Sequence, residues 1–139
     1  NTSDWSLNAE VDSDGRTMSS ARFGKSNDLL AISGHDRRIR LLDRATASEL
    51  ASLTDEAGSL LCLTTSPDGQ LLAAAGETNH VRIWNLESGE IEVDVERFSR
   101  RINAVEFSPQ SDLIAFGGDE RVLMTYDLKT NEQRRLLGH

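Results

Sequence analysis

Hydrophobic positions along this chain come in short runs separated by turn signals. In the central part of the sequence four runs predict β-strands: Leu60–Thr65, Leu71–Ala75, His80–Trp84 and Ile91–Val95. The first two are joined by Ser66-Pro67-Asp68-Gly69, in which proline presets φ, aspartate can bond the local backbone and glycine accepts a positive φ. Short strands at this spacing predict an all-β architecture.

Some of these runs are apolar at every position. Leu71–Ala75 shows no polar alternation, and Leu113–Phe116 repeats that pattern later in the chain. A strand that is apolar on both sides is packed on both faces, as in stacked sheets, whereas an open sandwich leaves one face wet. We therefore expect both runs to be buried between neighbouring sheets.

The whole pattern recurs every 42 residues without a gap. Three glycines mark one column of the repeat, and neighbouring columns are equally consistent: Gly34, Gly76 and Gly118; Leu29, Leu71 and Leu113; Ala31, Ala73 and Ala115. The register predicts thirteen strands in one continuous domain: an outer strand of a preceding unit within 1–11, at Leu7–Val11, and then repeats at 12–53, 54–95 and 96–139.

The residues of the repeat also carry a family resemblance. Ser66-Pro67-Asp68-Gly69-Gln70-Leu71-Leu72-Ala73, followed by Val81-Arg82-Ile83-Trp84-Asn85, resembles the WD-repeat family, and Gly138-His139 resembles the dipeptide that opens its next repeat. The resemblance implies β-propeller blades of four antiparallel strands. Three blades are too few to close a ring, since propellers have about four to eight. We therefore expect a partial propeller, or a ring completed by self-association or by further blades.

The chain departs from the family pattern at its polar positions. The Trp-Asp dipeptide reads Leu42-Asp43, Trp84-Asn85 and Tyr126-Asp127, and the serine or threonine of the usual polar network is Ile32, Ala74 and Phe116. No complete network of that type can form. Packing is therefore expected to stabilise the blades more than polar networks do.

Composition and charge exclude several classes of function. With 15 basic and 23 acidic residues the net charge is −8 and the pI is near 4.8, which argues against a nucleic-acid partner because phosphate contact needs a basic surface. No apolar run approaches the roughly 18 residues of a membrane span. The single cysteine, Cys62, fits a buried inert thiol in a reducing, cytoplasmic (intracellular) compartment.

Candidate chemistry is sparse. The histidines have no Cys, Asp or Glu at metal-ligand spacing in the sequence, and no nucleophile stands beside a base. Asp12-Ser13-Asp14-Gly15 fails as a calcium loop, because a loop starting at Asp12 would need its last carboxylate at Phe23. We expect no catalysis, no cofactor and no bound metal.

A partner-binding surface is the remaining candidate. In the family, the loops between blades and the turns between second and third strands lie on a top face near the central channel. Those segments carry His35, Asp36, Arg37, Glu77, Thr78, Asn79, Arg97, Arg100, Arg101, Asp119, Glu120 and Arg121. These charges either are simply solvated or bind an acidic or bipartite peptide, since the guanidinium fork fits carboxylates. Arg134 and Arg135 are expected on an outer strand, as charges that keep an edge soluble.

The resulting hypothesis is a non-catalytic protein-interaction scaffold that binds other proteins or peptides, with no nucleic acid and no membrane. Two alternatives stay open. The chain is a regulatory or sensor propeller segment of a larger multidomain enzyme, or it is an excised or engineered set of blades with no ligand.

Overall fold

The computed structural model describes residues 15, 17–25, 28–96 and 98–136. Within that part, twelve strands form three four-stranded antiparallel sheets, here called blades. Blade 1 holds β1 Met18–Phe23, β2 Leu29–Gly34, β3 Arg38–Asp43 and β4 Glu49–Thr54; blade 2 holds β5 Leu60–Thr65, β6 Leu71–Gly76, β7 His80–Asn85 and β8 Ile91–Glu96; blade 3 holds β9 Ile102–Phe107, β10 Leu113–Gly118, β11 Leu123–Asp127 and β12 Gln133–Leu136. The predicted strand Leu7–Val11 lies outside the described residues.

The turns form as the residue types predict. Ser66 Oγ donates to Asp68 Oδ1 at 2.6 Å, and Gly69 takes a φ of 77°. At the β7–β8 hairpin of blade 2, Asn85 Oδ1 accepts the N–H groups of Glu87 and Ser88. These hydrogen bonds of turn side chains close each turn, so that the next strand can pair antiparallel to the one before it.

The glycine column of the repeat has a steric cause. Gly76 ends β6 directly against the carbonyl oxygen of Ser59, and a Cβ at Gly76 would overlap that oxygen. The same overlap would occur at Gly34 with Thr17 O and at Gly118 with Arg101 O. Only glycine lets the second strand approach the start of the first so closely.

The blades stack face to face through two apolar cores. Leu72, Ala74 and Trp84 of blade 2 pack with residues of blade 1. Their neighbours in the strands, such as Ala73 and Ile83, pack with residues of blade 3. The predicted double burial of the second strand is confirmed in blade 2, where Leu72 to Ala75 are buried and Leu71 is half-buried.

The matching prediction for blade 3 is wrong in part. Ile114 and Phe116 are buried, but Leu113 is 39% exposed and Ala115 is only half-buried. Leu113 and Ala115 correspond to Leu71 and Ala73, so they lie on the face of blade 3 turned away from blade 2. Among the described residues no further blade covers that face.

Candidate functional site

The candidate residues gather at one end of the blades. We call this end the top face; it carries the turns at 35–37, 77–79 and 119–121 and the connections at 55–59 and 98–101. One backbone hydrogen bond recurs in all three blades and ties each turn to the residue just before the first strand. The N–H groups of His35, Glu77 and Asp119 donate to the carbonyl oxygens of Thr17, Ser59 and Arg101, at 3.1, 2.9 and 3.0 Å.

The blade-1 corner uses one of its predicted residues internally. Asp36 pairs with Arg40, and both side chains are largely buried. His35 and Arg37 are exposed, and Arg37 takes a φ of 63°, in the left-handed region. Its carbonyl oxygen accepts the N–H of Asp55 at 2.9 Å, which fixes the connection to blade 2. Of the three predicted residues of this corner, His35 and Arg37 are therefore the ones with exposed side chains.

In the blade-2 corner, Thr78 is structural. It is buried, and its hydroxyl donates to the carbonyl oxygen of His80 at 2.9 Å. Its neighbours Glu77 and Asn79 are exposed, and Asn79 O accepts the N–H of Phe98 at 3.4 Å from the connection to blade 3. Thr78 therefore holds the turn on which the side chains of Glu77 and Asn79 are exposed.

Sequence reasoning missed a row of linked charged side chains on blade 2, here called the charge ladder. Arg82 is bonded through Nη1 to Oδ1 of Asp55, whose residue is 1% exposed, and through Nε to Asp94 Oδ2 at 3.0 Å. His80 Nδ1 lies 2.8 Å from Asp94 Oδ1 and 3.8 Å from Glu96 Oε1. The signal was present in the register, because β7 and β8 pair Arg82 with Asp94 and His80 with Glu96.

This ladder also contains the metal-type cluster of the described residues. His80, Asp94 and Glu96 offer ligand atoms within 4.8 Å of one another, although they have no ligand spacing along the sequence. An imidazole and two carboxylates suit Zn²⁺. However, both oxygens of Asp94 already have partners, one of them the Arg82 cation. The arrangement therefore serves to neutralise the buried Asp55, and the absence of a bound metal stays a prediction.

The blade-3 corner holds its two carboxylates beside polar donors and arginines. Asp119 accepts from Asn103 Nδ2 at 2.7 Å and lies 3.5 Å from Arg101 Nε. Glu120 accepts from the hydroxyl of Ser99 at 2.7 Å and from its backbone N–H at 2.5 Å, and these bonds lower the pKa of Glu120. Arg100 and Arg121 are exposed, and Arg97 lies outside the described residues.

Beside this corner lies a cavity of about 750 Å³, here called the blade-3 cavity. Its lining combines four predicted residues with five that the sequence did not single out for it. They are Arg100, Asp119, Glu120 and Arg121, with Phe98, Val122, Met124, Gln133 and Arg135. Phe98 is held edge-on to the buried Phe116, with ring centroids 5.3 Å apart, so this wall is fixed by the core.

Arg135 reaches the cavity because of the strand register. In blade 2 the pairing of β7 with β8 shifts by one residue between Ile83 and Trp84. In blade 3 β11 and β12 pair without a shift, so Arg135 lies opposite Met124. A slip of one residue turns every side chain to the other face. As predicted, Arg134 and Arg135 are exposed on the outer strand β12, and Arg135 also lines the cavity.

Two further features bear on chemistry. Cys62 is buried, as predicted, and burial raises the pKa of its thiol to about 11, which favours the protonated form over the reactive thiolate at neutral pH. In the part of the chain that the structure describes, no helix has the length and apolarity needed to span a membrane.

Comparison with known proteins places this geometry in context. The family described as "Anaphase-promoting complex subunit 4 WD40 domain" matches residues 21–108. "Eukaryotic translation initiation factor 3 subunit I" of Aspergillus terreus is 32% identical over 101 residues, covering 72% of this chain and 30% of the relative. "Meiotic recombination protein rec14" of Schizosaccharomyces pombe is 26% identical over 104 residues, covering 75% and 34%.

Among solved structures, U3-55K superimposes with a TM-score of 0.84 at 14% identity, over 90% of this chain and 40% of that one. At this identity the likeness is one of fold. The chain spans about a third of the length of these curated relatives.

Proposed function

Because the chain belongs to the WD-repeat family of β-propellers, we propose that it is a non-catalytic protein-interaction scaffold whose top face selects the partner. Relatives that match it are named as a subunit of a translation initiation factor and as a recombination protein. Such proteins are intracellular, and we propose the same compartment for this chain.

The recurring backbone hydrogen bond on the top face carries this proposal. It fixes the turn of each blade to the start of the same blade, while Asp55 N to Arg37 O and Phe98 N to Asn79 O fix the connections to the preceding turns. Loops held in this way lose little entropy on binding, because their backbone is already ordered. Rigid sheets that present ordered loops are suited to binding and require no chemistry of their own.

The exposed candidate residues would make the contacts. They are His35, Arg37, Glu77, Asn79, Arg100, Arg101, Asp119 and Arg121. Asp36 and Thr78, which were predicted among them, support the turns instead. Mixed charges of this kind favour a partner with complementary charges and fix its orientation more than they raise its affinity.

Quantitative affinity capture from cells tests the function. The bait is the 139-residue chain with Arg37→Glu and Arg121→Glu on the top face, compared with the natural chain and with a matched bait carrying Arg44→Glu and Lys129→Glu at the opposite end. We expect the top-face pair to lose specific partners and the control pair to retain them. Equal partner sets for both baits would contradict the proposal.

A second surface is proposed to receive another blade. On blade 2 the residues that face blade 3 include Ala73, Val81 and Ile83, all completely buried. Their counterparts on blade 3, such as Leu123 and Thr125, are only half-buried. We propose that a further blade covers this face in the complete protein, and that the isolated chain self-associates through it. Light scattering should give a mass above 15.3 kDa; a stable monomer would contradict this.

A further inference from the structure

We propose that the blade-3 cavity binds an acidic peptide segment, with carboxylates on its arginines and an apolar side chain against Phe98 and Met124. The inference rests on the proposed scaffold function and names the chemistry of one partner segment. Its lining residues come from the connection between blades, the turn of blade 3 and the outer hairpin β11–β12.

The charge of the lining supports an anionic occupant. Arg100, Arg121 and Arg135 all line the cavity, and within the described part of the chain none of them lies within 4.0 Å of a carboxylate oxygen in an ion pair. In the same lining, Asp119 is engaged by Asn103 and Arg101. Glu120 is hydrogen-bonded by Ser99, and the charge of Arg100 also acts on it. Arg121 and Arg135 therefore have no carboxylate partner among the described residues, and the lining carries more arginines than carboxylates in a chain whose net charge is −8.

The remaining lining supports a peptide over a small inorganic anion. Phe98, Val122 and Met124 form an apolar wall beside the arginines. Methionine adapts to side chains of different shape, and arginine binds carboxylates through two parallel N–H bonds. A cavity of about 750 Å³ is large enough for several side chains of an extended segment.

The site is particular to blade 3. At the position of Met124, blade 2 has Arg82, and the residue opposite Arg82 is Asp94, so that surface is closed by an internal ion pair. In blade 3 the unshifted pairing of β11 and β12 puts Arg135 opposite Met124, which has no charge to offer it. Arg135 therefore faces the cavity with no carboxylate opposite it in the hairpin.

Fluorescence anisotropy on the 139-residue chain tests the inference. The probe is a short fluorescein-labelled peptide of alternating glutamate and leucine, and the control probe has glutamine in place of glutamate. Arg135→Gln should weaken binding of the acidic probe about tenfold, which is the loss of one charge-assisted contact. Arg134→Gln is the matched control, because Arg134 is the neighbouring arginine on the same strand and is not among the cavity residues. The affinity of this variant for the acidic probe should change less than about twofold.

A second variant separates loss of binding from loss of fold. Met124→Glu places a carboxylate opposite Arg135, as Asp94 lies opposite Arg82, and should abolish probe binding while the circular dichroism spectrum stays that of the natural chain. Equal weakening by Arg134→Gln and Arg135→Gln would overturn the inference, because the affinity would then depend on the overall charge of the surface and not on a contact with Arg135. Tighter binding of a single-stranded oligonucleotide with the same dependence on Arg135 would overturn it in favour of a nucleic acid.

Failure of this inference differs from failure of the scaffold function. If the acidic probe does not bind the natural chain, the inference is wrong, whereas partner capture that depends on Arg37 and Arg121 would still support the scaffold.

Discussion

Blades 2 and 3 share one repeat register and still use their outer hairpins differently. In blade 2, Arg82 connects the buried Asp55 to Asp94, and Asp94 continues to His80. In blade 3, the equivalent of Arg82 is Met124, and the residue paired with Met124 on the opposite strand is Arg135. One hairpin is closed by its own charges, and the other presents an arginine to a cavity.

The difference follows from the residue types of the two hairpins together with one residue of register. A shift in the pairing of β7 with β8 brings a carboxylate opposite the arginine, and its absence between β11 and β12 brings an arginine opposite an apolar side chain. Because side chains alternate along a strand, one bulge decides which residues share a face. A repeat fold can therefore keep the same core positions in every blade. A pairing shift then decides, with the surface residue types, whether a charge is paired within its own blade or faces a cavity.

Core burial gives the largest expected difference between the blades. Leu72→Ala empties a completely buried position between blades 1 and 2 and should lower the free energy of unfolding by about 2–5 kcal/mol. Leu113→Ala in blade 3 removes a side chain that is 39% exposed and should cost less than about 1 kcal/mol. Chemical denaturation measures both.

Trp84→Phe sharpens the same measurement. It keeps most of the buried volume, so it should cost less than Leu72→Ala. The reverse order would show that polar contacts of the indole outweigh packing in blade 2.

The two arginines of the hairpins should differ next. Arg82→Met leaves the Asp55 carboxylate buried without its cation, which should cost about 3 kcal/mol. Arg135→Met removes an exposed charge and should change the stability by less than about 0.5 kcal/mol.

Adding Asp55→Asn to Arg82→Met provides the control, since the amide oxygen can still accept the N–H of Ala57 as Asp55 Oδ1 does. The double variant should recover most of the lost stability. If the double variant stays as unstable as Arg82→Met, the loss of stability does not come from the unpaired charge of Asp55.

The core could be predicted because its signal is local and repeated. Continuous apolar runs and the column of Gly34, Gly76 and Gly118 are sufficient to predict the strands and their stacking. The prediction of burial for Leu113 was wrong because burial depends on what covers a face, and no property of the run Leu113–Phe116 records whether a blade follows it.

The candidate site could be predicted only by position. The top-face turns were placed from the repeat, but the roles of Asp36 and Thr78 depend on partners in three dimensions. The charge ladder on Arg82 had a recognisable signal in opposite charges across the β7–β8 hairpin. Arg135 had none, because the same residues with a shifted register would have turned it to the other face.

A smaller effect tests how strictly the turns follow the repeat. The position of Gly89 in blade 2 takes a positive φ of 74°, and its counterparts Ala47 and Asn131 take φ values of 54° and 59°. Gly89→Ala should cost about 1 kcal/mol, and Ala47→Gly should gain a comparable amount or less. A Cβ at Gly89 meets nothing closer than 3.7 Å, so only the backbone strain is measured. A cost of zero would mean that the turn changes its conformation to suit the residue.

Acid stability gives the smallest difference, at the residue that caps the turn between third and fourth strands. Blade 3 has Asp127 there, whose Oδ1 accepts the N–H groups of Thr130 and Lys129, and these bonds hold its pKa below the ordinary value of 3.8. Blade 2 has Asn85, which makes equivalent bonds and does not titrate. A carboxylate whose pKa is lower in the folded state stabilises the fold above its unfolded pKa, and this stabilisation is lost as the pH falls through the folded value. Asp127→Asn should therefore leave the stability at neutral pH nearly unchanged and make the denaturation midpoint fall less steeply below about pH 4.

Asp43→Asn, at the same position of blade 1, where the pKa is lowered chiefly by the N–H of Thr46, should do the same. If the denaturation midpoint of both variants falls with pH as steeply as that of the natural chain, the charged carboxylates stabilise their turns no more than the protonated ones do.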